Sequence, residues 1–400
     1  MSSDATTLPP GFGLAVTVLG CGSQAFLGRR LGIRAALNYS SALALLAVYV
    51  ATGEHAFPDV WRALGFEQVR EWTGALSYLW AICMLAAGVA LASFELVRSN
   101  KKRAGPGQAQ THAKTGETLN VARRQFLQTA VAPVSTAAMC MLPAAVLGFG
   151  VITRKDFHIN EVDLSFPELP NELHGLRLLQ LSDIHMGVFY TAGDLARVVD
   201  ASNSLRPDIA FVTGDLITTH HDPLDLCLSG LARLRASSGI WGCLGNHEKY
   251  SNVEAYTQAR ARELGIRFLR NEATTLSFGA GRLNLVGVDY ERSGPYLERV
   301  AGLVDLSSFN LLLAHTPEVF PEAAEKGFDL SLSGHTHGGQ VNLELMGTNL
   351  NIAEVHTPYT KGLYTLPTSM IYVNSGLGTI GAPIRIGAPP EITLIRLWRA

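Results

Sequence analysis

The sequence has few charged residues, few cysteines and almost no net charge. Charged residues make up 16% of the 400 residues, against about a quarter in typical soluble domains, which excludes a purely soluble chain. Five cysteines in a chain of this length exclude a scaffold held together by disulfides. A formal net charge of −2 excludes a basic nucleic-acid-binding protein, so we expect no nucleic-acid partner.

The shortage of charged residues is greatest in the first 150 residues. Four long stretches there contain no Asp, Glu, Lys or Arg: residues 11–28, 35–53, 75–94 and 125–153. A helix needs about 20 apolar residues to cross the hydrocarbon core of a bilayer, so each stretch is a candidate transmembrane helix. We therefore expect an all-α membrane region with about three helices in residues 1–97 and a further helix in residues 125–153.

Basic residues predict the orientation of these helices. The segment 98–124 carries seven Lys and Arg against a single Glu, and the loop 29–34 carries three Arg and no acid. Short loops rich in Lys and Arg remain in the cytoplasm, so 98–124 is predicted to be a basic cytoplasmic loop. The chain is then a multi-pass protein of the cell (inner) membrane, and the domain 154–400 is extracytoplasmic.

The basic loop ends in a short motif. Residues 122–128 read ARRQFLQ, directly before the last predicted helix, and they resemble a bacterial twin-arginine export signal. Arg123 and Arg124 are equally well explained as the positive flank of a membrane helix, and both interpretations stay open. No clear A-x-A cleavage site follows, so we expect the helix to remain as an anchor.

The second half of the chain alternates apolar runs with helical stretches. Short runs rich in Leu, Ile and Val occur at 176–181, 209–213, 239–244, 311–314 and 330–333. Such runs are typical of strands that are buried on both faces. Each run is followed by polar residues of metal-ligating types, and open α/β sheets bind their ligands at the carboxyl ends of strands. The residues after these strands are therefore candidates for a functional site.

In order, these polar residues form the motifs D-x-H at 183–185, GD at 214–215, GNHE at 245–248, a histidine at 315 and GHTH at 334–337. This series resembles the calcineurin-like metallophosphoesterase superfamily. The sequences GHTHGGQ at 334–340, LAHTPE at 313–318 and NSGLGTIGAPIR at 374–385 are further similar to its membrane-associated branch, which contains the YkuE- and YaeI-type phosphodiesterases. The resemblance covers residues 154–400.

A domain of this family is expected to be an α/β protein, a four-layer αββα sandwich that follows the transmembrane region. The late strands near 363–365, 370–373 and 392–397 are predicted to complete its second sheet, because the later segments no longer alternate with helices.

The resemblance also implies a role for each site residue. Asp183, His185 and His337 would bind a first metal, Asn246, His315 and His335 a second, and Asp215 would bridge the two. His247 would contact the phosphate and act as a general acid, while a metal-bridging hydroxide would be the nucleophile. Donor sets of mixed nitrogen and oxygen accept Mn, Fe, Zn or Co, so we expect two divalent ions of these elements.

The predicted function is a membrane-anchored phosphoesterase, more specifically a phosphodiesterase. Tethering to the bilayer favours a lipid-linked phosphoester, because it raises the effective concentration of enzyme at the surface. Two alternatives stay open. One is a phosphatase or nucleotide pyrophosphatase that acts on soluble metabolites, and the other is a non-catalytic metal-binding interaction module, because a fold alone does not guarantee an activity.

Overall fold

The computed structural model describes residues 18–24, 69, 71–77, 79–81, 83–85, 88–89, 136–291, 296–345 and 348–400. The chain divides into two compact units, Met1–Phe149 and Gly150–Ala400. The described residues of the first unit are helical. Within the described part of the chain, no helix combines the length and the apolar character needed to cross a bilayer. The candidate span 35–53 lies outside the described residues and the other three lie partly outside them, so the transmembrane region stays a prediction.

The second unit is an α/β domain. Its helices, including one that begins in the first unit, are α1 (Thr136–Thr153), α2 (Ala192–Ser204), α3 (Leu224–Leu231), α4 (Asn246–Tyr250), α5 (Glu254–Glu263) and α6 (Phe320–Glu325). Its strands are β1 (His158–Phe166), β2 (Arg177–Leu181), β3 (Ile209–Thr213), β4 (Ile240–Cys243), β5 (Ile266–Phe268), β6 (Glu272–Phe278), β7 (Gly281–Gly287), β8 (Phe309–Leu313), β9 (Leu330–Ser333), β10 (Asn342–Leu345), β11 (Thr348–Asn351), β12 (Gly362–Leu366), β13 (Ser369–Val373) and β14 (Glu391–Arg399). Short 3₁₀ helices cover Asn171–Leu173, Tyr296–Arg299, Ala301–Leu303, Pro317–Val319, His337–Gly339 and Ile352–Val355.

The strands form two mixed six-stranded sheets. The first has the order β1-β14-β2-β3-β4-β5 and the second has the order β12-β13-β9-β8-β7-β6. Strands β2 to β5 are parallel in the first sheet, and β7, β8, β9 and β13 are parallel in the second. The hairpin β10-β11 stands apart. The predicted α/β domain with two sheets is confirmed.

Apolar clusters hold these layers together. One cluster combines residues of both sheets, among them Leu178, Phe211, Leu285 and Leu311, so the sheets share a core. A second cluster packs α2 and α3 against the first sheet, and a third packs α6 and neighbouring 3₁₀ turns against the second. The central strands β3 and β8 are buried at every residue, as expected for strands that are covered on both faces.

One strand lies in a different sheet from the one predicted. The segment 392–397 was expected in the second sheet, but β14 lies in the first sheet, parallel to β1 and antiparallel to β2. Its partner β1 precedes it by more than 200 residues, and local apolar patterning carries no information about such a distant pairing. The other two late segments, in β12 and β13, do lie in the second sheet as predicted.

Candidate metal centre

All of the predicted ligands follow the carboxyl ends of five parallel strands. In the first sheet, Asp183 follows β2, Asp215 follows β3 and Asn246 follows β4. In the second sheet, His315 follows β8, and His335 and His337 follow β9. Because parallel strands end at the same edge of a sheet, each sheet presents its polar residues together. The site therefore lies where the two edges meet.

The side chains converge closely. Three overlapping groups each place one donor atom per residue within 4.8 Å of the others: Asp183 with His185 and His337, His185 with Asp215 and His247, and Asp215 with His315 and His335. Asn246 joins the last group, since its Oδ1 lies 3.1 Å from His315 Nε2. The structure thus brings together all seven predicted ligands and His247.

The backbone at this site is in a rare conformation. Nine described non-glycine residues have φ in the left-handed region, and five of them are predicted ligands: Asp183, His185, Asp215, His335 and His337. This region is costly for residues with a Cβ, and such residues cluster at functional sites. The local strain indicates that these side chains are held in place by the surrounding fold.

The ring nitrogens of the histidines face one another in pairs. His185 Nε2 lies 3.2 Å from His337 Nε2, and His335 Nδ1 lies 3.2 Å from His315 Nε2. On the far side of its ring, the Nδ1 of His315 donates to the carbonyl of Thr213 at 2.7 Å, which leaves Nε2 as a lone-pair donor in the neutral ring. Nitrogen atoms that meet in this way, next to carboxylates, are suited to sharing a cation.

The charge state of the donors also fits a metal. Burial lowers the pKa of His185 and of His335 to about 3, so both imidazoles are neutral at physiological pH and can coordinate. Burial raises the pKa of Asp215, but the neighbouring His315 outweighs it and keeps the carboxylate ionised. Burial alone would lower the pKa of His315, but the nearby carboxylate of Asp215 raises it to about 10. Asp215 thus favours a neighbouring positive charge, which His315 carries in the metal-free site and a divalent ion would provide in its place.

His247 differs from the other histidines in its setting. Its backbone N–H donates to Asp215 Oδ1 at 3.0 Å and its Nδ1 donates to the carbonyl of Thr218 at 2.8 Å. The ring therefore keeps Nε2 for proton transfer, and it packs edge-on against His185 with the centroids 4.9 Å apart. This arrangement is compatible with the role of an acid beside the metals.

Two buried charged residues support the site, and the sequence predicted no role for either. Glu248 is fully buried and accepts the backbone N–H groups of Asp215, Leu216 and Gly245 at 2.7–3.0 Å. Arg385 is also buried, and its Nη2 lies 3.1 Å from His337 Nδ1. Both residues belong to motifs quoted above, GNHE and NSGLGTIGAPIR. For Arg385, a charge between two isoleucines was the available signal.

A cavity of about 220 Å³ lies beside the cluster. Gly245 and Tyr290 line it on that side, and Lys249 and Glu291 form an ion pair of 2.8 Å in its wall. The ring centroids of Tyr290 and His335 are 6.4 Å apart. The hydroxyl oxygens of Tyr290 and Tyr250 are 3.1 Å apart. The cluster therefore has polar and aromatic groups on one flank.

Comparisons with known proteins agree with this geometry. The family model for calcineurin-like phosphoesterases matches residues 176–339. The Bacillus subtilis (strain 168) protein named "Uncharacterized metallophosphoesterase YkuE" is 30% identical over 292 residues, which cover 69% of this chain and 98% of that protein. A Danio rerio protein named "Transmembrane protein with metallophosphoesterase domain" is 32% identical over 297 residues, which cover 70% of this chain and 65% of that protein.

Among solved structures, a Thermus thermophilus protein named TT1561 matches with 15% identity and a TM-score of 0.37, over 51% of this chain and 90% of that one. At this TM-score and identity, the structural similarity supports no conclusion beyond those from the sequence comparisons.

Proposed function

Since the chain belongs to the calcineurin-like metallophosphoesterase family, and is therefore a metal-dependent phosphoester hydrolase, we propose that it is a membrane-anchored phosphodiesterase that uses two divalent metals. The observation that carries the proposal is the convergence of seven ligand-type side chains from two sheets on one point. A binding module without catalysis would not need a further histidine with an available ring nitrogen at the same place.

The seven side chains divide into two sets. Asp183, His185 and His337 would hold the first metal. Asn246, His315 and His335 would hold the second. Asp215 lies in contact with members of both sets, since its Oδ2 is 3.6 Å from His185 Nε2 and 3.1 Å from His315 Nε2. It is therefore the residue suited to bridge the metals, which would be Mn, Fe, Zn or Co.

A metal pair held in this way supplies a strong nucleophile at neutral pH and positive charge against the phosphoryl oxygens. The protein has no need of a nucleophilic side chain of its own. Its remaining task is to protonate the leaving oxygen, and His247 is the candidate, because the carbonyl of Thr218 holds its Nδ1 and orients the ring.

The cavity beside the cluster favours a diester over a monoester. A phosphodiester carries a second organic group, and the space of about 220 Å³ next to Gly245 and Tyr290 can receive such a group. The paired hydroxyls of Tyr250 and Tyr290 and the Lys249–Glu291 ion pair would offer it hydrogen bonds. We therefore place the non-reacting part of the substrate on this flank.

Membrane anchoring and a lipid-linked substrate are supported by the sequence of the first unit. Four uncharged stretches and a loop with seven basic residues predict a multi-pass anchor of the inner membrane, with the catalytic domain outside the cytoplasm. At the end of α1, Ile152 leaves 77% of its surface exposed, which suits a contact with lipid. A relative bears the word transmembrane in its name.

The substrate is tested with the full-length protein reconstituted in liposomes. An aryl phosphodiester, the matching aryl phosphomonoester and a glycerophosphodiester lipid are offered with Mn²⁺, Fe²⁺, Zn²⁺ or Co²⁺ in turn. We expect hydrolysis of both diesters, inhibition by a chelator and little action on the monoester. Preference for the monoester would favour a phosphatase, and no hydrolysis by a metal-loaded protein would favour a binding module.

The topology is tested separately. Protease added to intact spheroplasts should remove the catalytic domain, and a protected domain would contradict the proposed orientation. The double substitution Arg123→Lys with Arg124→Lys keeps the positive charge but disables a twin-arginine signal. Lost export would establish the signal, whereas unchanged export would show that the two arginines are only a basic flank.

A further inference from the structure

Arg385 is a buried cation whose acidic neighbours, Asp183 and Glu391, act on it from beyond ion-pair distance. Its exposed fraction is 2%, and among the described residues no carboxylate lies within ion-pair distance of its guanidinium. Burial lowers its pKa to about 10, so the side chain is still charged at neutral pH. A buried charge is costly unless hydrogen bonds replace its hydration. Here the replacement comes from backbone carbonyls, those of His337, Ser375, Gly378 and Ala388.

Two of the hydrogen bonds of Arg385 reach the same predicted ligand. Arg385 Nη1 donates to the backbone carbonyl of His337 at 2.8 Å, and Nη2 donates to Nδ1 of its ring at 3.1 Å. Since a guanidinium group can only donate, Nδ1 accepts in the neutral ring and the ring proton is on Nε2, the nitrogen that faces His185 and Asp183, so this contact belongs to the metal-free site. The hydrogen bond to the carbonyl holds the main chain of His337 whichever ring nitrogen carries the proton, and it thereby fixes the position of the imidazole.

The same guanidinium acts on the other two ligands through a short backbone segment. Its Nε donates to the carbonyl of Gly378 at 3.0 Å. The backbone N–H of Gly378 donates to the carbonyl of Asp183 at 2.7 Å. A Cβ on Gly378 would lie 2.9 Å from Cβ of His185, and one on Gly376 would lie 2.6 Å from Cβ of Asp183. The segment 376–378 therefore packs directly against both ligands, with no space to shift.

The ligands of the second set have a different support. The hydrogen bonds of Arg385 within the described structure do not reach Asn246, His315 or His335. The ring of His315 is held by the carbonyl of Thr213, and the turn before Asn246 is held by Glu248. Arg385 thus has no direct contact with the second set, which is linked to the first by the backbone N–H of His335, a donor to the carboxylate of Asp183 at 3.0 Å.

We propose that Arg385 is a positioning residue for the first metal only. It holds His337 directly and holds Asp183 and His185 through the segment 376–378, so its loss would empty the first metal position and leave the second occupied. The inference rests on the proposed two-metal site, and it assigns Arg385 no contact with the substrate.

The test compares the metal content of the full-length protein in three variants. Arg385→Met keeps the length of the side chain but removes the donors, and Arg385→Lys keeps the charge but offers a single ammonium group. The matched control is Arg396→Met, because Arg396 forms exposed ion pairs with Asp163 and Glu161. Removing a residue that orients a metal ligand typically weakens metal binding by about 10–100-fold. We expect one metal instead of two in Arg385→Met, a smaller loss in Arg385→Lys and none in the control.

Double substitutions identify which metal is lost. Arg385→Met combined with His337→Ala should retain as much metal as either single variant, because both changes act on the same position. Arg385→Met combined with Asn246→Ala should lose both metals. With Mn²⁺, the electron paramagnetic resonance spectrum of Arg385→Met should change from that of a coupled pair to that of an isolated ion.

The possible results separate this inference from the function on which it rests. A wild-type protein that binds fewer than two metals contradicts the proposed function. Two metals bound with unchanged affinity in Arg385→Met, or an equal loss of both, would overturn the inference while leaving the function intact. If the Arg385 variants do not fold, Gly378→Ala tests the segment 376–378 through which Arg385 acts, because its Cβ would clash with the carbonyl oxygen of Ile184 and lie 2.9 Å from Cβ of His185. It should empty the first position, and two metals retained in this variant would overturn the inference.

Discussion

The two sides of the metal cluster are supported by buried groups of opposite charge. On the first side, the cation Arg385 donates to backbone carbonyls and to His337. On the second side, the carboxylate of Glu248 accepts three backbone N–H groups around Asp215 and Gly245. In both cases a charge is satisfied by the main chain, which immobilises loops that follow strands. On each side, the loop after a strand carries the candidate ligand, and a buried charged side chain holds that loop by hydrogen bonds to its backbone.

The two sides also differ in where their support comes from in the chain. Glu248 lies two residues after Asn246, so the second side is supported from within its own motif. Arg385 lies 48 residues after His337, in the tail that leads to β14. In the proposed site, the first metal would therefore depend on a segment that is distant in sequence, and the second on a local turn.

The largest loss of activity and of bound metal is expected from a substitution of Asp215, which contacts both sides of the cluster. Asp215→Ala should abolish activity and remove at least one metal, because a ligand in contact with both sets has no substitute. Elemental analysis and a diesterase assay on the same sample measure both results. A variant that retains two metals would show that Asp215 does not bridge, and the division into two sides would have to be redrawn.

The next largest effect separates chemistry from metal binding. His247→Ala should retain both metals and lose about 10²–10⁴-fold in rate, as expected for a missing general acid. Its Nδ1 donates to the carbonyl of Thr218, which is not a predicted ligand. If His247→Ala loses as much metal as Asp215→Ala, then His247 is a ligand and not an acid.

A smaller effect is expected from Glu248→Gln. The amide has the same shape but a single acceptor oxygen, so it cannot accept the N–H groups of both Leu216 and Gly245. We expect about 10–100-fold weaker metal binding, mainly at the second position. Calorimetric metal titration, compared with Arg385→Met, is the measurement. Loss of the same metal in both variants would show that the two supports are not separate.

The smallest effect concerns the substrate. Tyr290→Ala should raise KM for a diester with little change in kcat and no change in metal content, because Tyr290 lines the cavity beside the cluster. KM for the corresponding monoester should stay the same. Tyr290→Phe keeps the ring and tests the hydroxyl alone. An equal rise of KM for both substrates would show that this flank does not receive the second ester group.

The candidate ligands could be selected from the sequence because each follows an apolar run that is typical of a buried strand. Asp183, Asp215, Asn246 and His315 stand out for this reason, and family resemblance then orders them. Arg385 did not stand out, because its role depends on a fold that places residue 385 behind residue 337. The sheet of β14 was predicted wrongly for the same reason, since its pairing with β1 is a contact between distant segments.

The central claim is that activity requires both sides of the cluster, and a metal titration of the metal-free, full-length protein tests it most directly. Diesterase activity and bound metal are followed together while Mn²⁺ is added in steps. We predict little activity after the first equivalent and a steep rise with the second, because each side holds one ion and hydrolysis needs both. Full activity after one equivalent, or activity that persists in a chelator, would contradict this account.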